Sequence, residues 1–105
     1  MKTLRLKNFN NKFACDYFGL IAPAPPEPIS NENIIKPFII EDIDGNYPNF
    51  KAERITMTRF FLHEIPEIFA YTACSASPEN LQTELQKEYN CTNDQQFAYY
   101  LFKKS

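Results

Sequence analysis

Four prolines, Pro23, Pro25, Pro26 and Pro28, fall within six residues. Each fixes φ near −65° and lacks a backbone donor, so this stretch favours an extended, polyproline-like path over helix or central strand. The sequence predicts a loop over residues 21–35, with every remaining element before or after it. Glycine, by contrast, occurs only at Gly19 and Gly45. Both common glycine-rich phosphate-binding loops are therefore excluded, since each needs closely spaced glycines.

Before the loop, Thr3-Leu4-Arg5-Leu6-Lys7 alternates apolar and charged positions, the pattern of a half-buried strand. Residues 13–21 are apolar without clear period and fit either a strand or a short helix. After the loop, Phe38-Ile39-Ile40-Glu41-Asp42-Ile43 is a β-branched run that meets Asp44-Gly45-Asn46, residues that tolerate the positive φ of a turn. Residues 50–61 then alternate with one slip near Arg54. A β-hairpin with a bulge in its second strand is expected.

Residues 62–71 read as a short helical turn started by Pro66. The clearest helix spans 78–90: Ser77 suits the N-cap, Pro78 the first turn, and Leu81, Leu85 and Tyr89 recur every four residues. Asn90 accepts the left-handed conformation that ends a helix. Phe97-Ala98-Tyr99-Tyr100-Leu101-Phe102 is apolar on both pleat faces, as in a strand inside a sheet, and Lys103 and Lys104 mark its exit to solvent. The order implies one α+β domain over residues 1–105, with a small mostly antiparallel sheet or partly open barrel and one main helix.

Charge is unevenly distributed. The net charge is −2, yet Lys2, Arg5, Lys7 and Lys12 stand in the first twelve residues with no acid, whereas residues 13–50 carry six acids against Lys36. A polyanion must then be held by a local patch rather than by a global field. The candidate nucleic-acid-binding residues are Lys2, Arg5, Lys7 and Lys12 with Arg54 and Arg59. The acidic 41–44 segment and the proline loop offer instead a protein-facing surface, as in small interaction modules of phages and mobile elements.

No chemistry of catalysis is spelled out. Cys15, Cys74, Cys91 and His63 are zinc-type ligands, but none lie as the close pairs that structural zinc sites use. Cys74 precedes the expected N-cap by three residues, with His63 as a conceivable base, in a plain small-residue loop without a cysteine-enzyme signature. Glu64 and Glu67 flank Pro66 as ordinary solvated carboxylates. No catalytic residue, metal or cofactor is assigned. An odd cysteine count and no secretory stretch lead to the expectation of three free thiols in a cytoplasmic protein, and no run reaches the length of a membrane span.

The turn at Asp44-Gly45-Asn46, the strand through Ala52-Glu53-Arg54-Ile55, the segment His63-Glu64-Ile65-Pro66-Glu67-Ile68, the Ser-Pro-Glu-initiated helix with Leu81 and Leu85, and the closing strand 97–102 follow one another in a familiar order. Over residues 45–104 the chain resembles small ASCH-type domains of the PUA-like superfamily. That superfamily is associated with RNA or nucleotide binding in a cleft of a small β-barrel, so the resemblance implies a binding module, in keeping with the expectation above of no catalytic residue. That family's amino-terminal Gly-x-Lys-x-x-Glu-x-Arg motif has no counterpart in residues 1–35, so no site residue carries across.

Overall fold

The structure, a computed structural model, describes residues 1–25 and 36–105. Five strands, β1 (Lys2–Leu6), β2 (Tyr17–Pro23), β3 (Lys36–Asp42), β4 (Phe50–Phe61) and β5 (Gln96–Lys104), form one sheet in the order β1-β3-β4-β5-β2. The β1–β3 pair is parallel and the other three pairs are antiparallel. The sheet is open, with β1 and β2 at its edges, and among the described residues two α-helices, α1 (Glu67–Cys74) and α2 (Pro78–Tyr89), complete an α+β fold.

Because side chains alternate across a strand, β5 feeds two cores. Phe97 and Tyr99 join Phe60, Leu62, Ala70, Ala73, Leu81 and Leu85 beneath the helices. On the opposite face, Phe102 joins Phe13, Phe18, Phe38, Ile40 and Ala52. That second face is covered by the 3₁₀ segment Phe9–Ala14, whose Phe13 is fully buried and meets Phe18 and Phe50 edge-on. The apolar residues 13–21 therefore divide between the end of this segment and strand β2.

The hairpin forms as its turn chemistry requires. Gly45 has φ 69°, and Asp42, though buried, has both carboxylate oxygens occupied by the turn: Oδ1 accepts from Asp44 N–H and Oδ2 from Asn46 N–H. The register of β4 on β5 slips between Arg54 and Thr56, a bulge that lets Arg54 and Met57 face the same side. In α2, Ser77 accepts from Asn80 N–H, Leu81 and Leu85 are buried, and Asn90 closes the helix at φ 49°.

Three boundaries differ from the sequence reading. Strand β2 runs through Pro23, paired with Phe97, so residues 21–23 belong to the sheet rather than to a loop. A proline is tolerated there because β2 is an edge strand and the missing donor breaks no inner ladder. Residues 26–35 of the expected proline loop lie outside the described residues. The segment after β4 splits into a 3₁₀ turn at Leu62–Glu64 and a true helix reaching Cys74. Its small residues Ala70 and Ala73 are buried rather than looped, and Ser75 at φ 53° ends it, with Ala76 N–H returning to Ala70 O. Finally, Lys104 does not mark a simple exit to solvent: its Nζ donates to Phe13 O and the Tyr47 hydroxyl and lies over the Tyr47 and Phe50 rings.

Candidate nucleic-acid interface

At the start of β1 and β3, a cavity of about 280 Å³ is lined by Lys2, Leu4, Lys36, Pro37, Phe38 and Arg54. Strand register explains why these residues meet. Lys36 pairs with Arg54 across β3 and β4, and Lys2 pairs with Phe38 across β1 and β3. Two like charges in directly opposed positions are an unfavourable cross-strand pair, and among the described residues no carboxylate lines the cavity. The Arg54 guanidinium rests on aromatic faces, its carbon 5.2 Å from the Phe38 centroid and 5.1 Å from that of Tyr100. Partial burial lowers its pKa from the ordinary value, an effect that Tyr100 opposes.

The six basic residues singled out by sequence are not one patch. Lys2 and Arg54 share the cavity just described. Arg5 follows Leu4 on β1 and so points to the other face, where its Nε is 3.6 Å from Glu41 Oε1, its register partner. Lys7 lies over the Phe9 ring at 5.1 Å. Arg59 shares a face with Arg54 but sits at the Ala98 rung, four residues along β5 from the Phe102 rung opposite Arg54, which is about 13 Å at the usual strand rise. Its Nη1 donates to Pro25 O.

Lys12 is withdrawn from any surface. It is only 7% exposed, and its Nζ donates to Gly19 O and Ala73 O, both at 2.8 Å. The ammonium thus links the 3₁₀ segment to β2 and to the end of α1. Burial depresses its pKa from 10.5 to about 8, against a smaller upward pull from Cys74. Lys36, by contrast, belongs to the cavity, although in the sequence it stands as the one cation of an acidic stretch and is not among the candidate residues. Its place opposite Arg54 depends on the hairpin register, which the position of the Gly45 turn could have supplied.

Cys74 and His63, the residues considered for catalysis, have different surroundings. Cys74 ends α1, and burial raises its thiol pKa, with Lys12 opposing. His63 instead faces Asn93 O, at 2.9 Å from Nδ1, and Glu64, at 3.4 Å from Nε2; the Asn93 carbonyl raises its pKa first, with Glu64 and Asp94 adding to it. Cys15, Cys74 and Cys91 are free thiols. Among the described residues no three His, Cys, Asp or Glu side chains converge as a metal site, and no helix is long and apolar enough to cross a membrane.

Neither family models, curated proteins nor solved structures offer a match to this chain.

Proposed function

We propose that the chain is a small binding module that holds the phosphate of single-stranded RNA or of a nucleotide in the cavity formed by Lys2, Lys36 and Arg54. The observation that carries this reading is the meeting of the three cations Lys2, Lys36 and Arg54 with an apolar wall in one recess. A phosphate placed among them interacts favourably with all three charges. Leu4, Pro37 and Phe38 supply an apolar wall for a sugar or base beside the phosphate. The likeness of residues 45–104 to ASCH-type domains points to the same ligand class.

The test is fluorescence anisotropy with a labelled single-stranded RNA decamer and, separately, a labelled adenine nucleotide. Binding that weakens with salt, and that falls when Lys36 is changed to Gln, supports the reading. Absence of binding to both probes at about 50 mM salt, where phosphate contacts are strong, overturns it.

A further inference from the structure

On the opposite side of the molecule, outside the helix layer, α1 and α2 enclose an open groove of about 880 Å³. Its apolar part comes from Ile68, Tyr71, Ala76 and Pro78, and a carboxylate stands in the first turn of each helix, Glu67 on α1 and Glu79 on α2. Ile68 and Tyr71 are three residues apart and so share one helix face, yet they are 62% and 66% exposed. Large side chains left outside both cores in neighbouring positions are the kind of feature that marks an interaction surface. Among the described residues no cation lines the groove.

We propose that this groove docks a short basic and apolar peptide segment of a partner protein, with an aliphatic side chain against Ile68 and Tyr71 and a lysine or arginine beside each of Glu67 and Glu79. The charge selects the occupant: the two carboxylates repel a polyanion such as the ligand of the basic cavity and attract cationic side chains. A second copy of this chain is a poorer occupant, because its one basic and apolar alternating segment, Lys2–Leu6, is held in the sheet against β3. The docking surface is independent of the phosphate-binding reading, being built from different residues on the other face of the sheet.

The experiment is an NMR titration of the uniformly ¹⁵N-labelled full chain with a capped heptapeptide of alternating lysine and leucine, and in parallel with its glutamate and leucine counterpart. The lysine peptide should shift amides within residues 67–79, and the glutamate peptide should not. Replacing Glu67→Lys together with Glu79→Lys should weaken the lysine peptide at least tenfold. Ile68→Ser should do the same while leaving the amide spectrum elsewhere unchanged, since the side chain is outside the core. Shifts outside this groove, equal binding of the two peptides, or no shift at about 1 mM peptide would overturn the proposal. So would concentration-dependent self-association abolished by Ile68→Ser.

Discussion

The ring of Tyr99 lies directly on the backbone of Gly19: a Cβ placed on Gly19 would stand 2.4 Å from Tyr99 Cε1 and 2.6 Å from its hydroxyl oxygen. The ring has no room to retreat. It stacks on Phe69 at 4.0 Å with the planes 4° apart, and its hydroxyl exchanges a hydrogen bond of 2.7 Å with Thr72 Oγ1. Glycine is required at this position for space, not for an unusual φ, and the tyrosine fills that space to hold α1 on the sheet.

Gly19→Ala should accordingly destabilise the fold by about 1–3 kcal/mol, the usual range for overpacking a filled core. Urea denaturation measures the loss. In a Tyr99→Leu background, where the ring is absent, the same alanine should cost less, so an unchanged penalty would show that the clash is not its source.

Lys12 gives the stability a definite pH dependence. Its folded pKa is about 8 against 10.5 when unfolded, so between these values the unfolded chain binds a proton that the folded chain has released. Stability from this group therefore rises with pH across that window, by up to about 3 kcal/mol in total, and the penalty for burying its charge is fully present below pH 8. Cys74 and Tyr99, both with raised pKa values from burial, act in the opposite direction at alkaline pH. Comparison of the native chain with Lys12→Met in urea at pH 7 and pH 10 isolates the lysine. The methionine variant should lack the rise, and an equal rise in both proteins would assign it elsewhere.

The elements legible in the sequence are those whose signals are local. Ser77, Pro78 and Asn90 bracket α2 by capping chemistry alone, and Gly45 fixes the hairpin turn through its backbone freedom. The bulge near Arg54 was readable because it breaks a two-residue period. What escaped is set by distant partners. Lys12 has the charge of a surface residue, and only the carbonyls of Gly19 and Ala73, the latter 61 residues away, explain its burial. Lys104 is likewise drawn inward by Phe13 and Tyr47. The end of α1 was hidden because Ser75, rather than glycine, takes the left-handed position. For the candidate site, the type of residue was legible and the grouping was not: strand alternation sends Arg5 away from Lys2, and β3–β4 pairing brings Lys36 in.

Leu85→Ala tests the packing of α2. Leu85 is 6% exposed and belongs to the core shared with Phe97 and Tyr99, so truncation should cost about 2–5 kcal/mol in urea titration. A loss below about half a kilocalorie, the range of surface substitutions, would detach the helix from that core.

The salt dependence of RNA binding tests the basic cavity quantitatively. Each phosphate neutralised on a single strand contributes about −0.7 to the log–log slope of affinity against salt, so the three cations Lys2, Lys36 and Arg54 set a slope near about −2. All six basic residues singled out in the sequence would have given about −4, a difference that anisotropy resolves across a modest salt series. Lys36→Gln should flatten the slope by roughly 0.7, and Lys2→Gln by a similar amount. Arg5→Gln should leave it unchanged, because Arg5 faces Glu41 on the other side of the sheet. A slope that responds to Arg5 and Lys7 but not to Lys36 would move the phosphate path off this cavity and onto the amino-terminal strand itself.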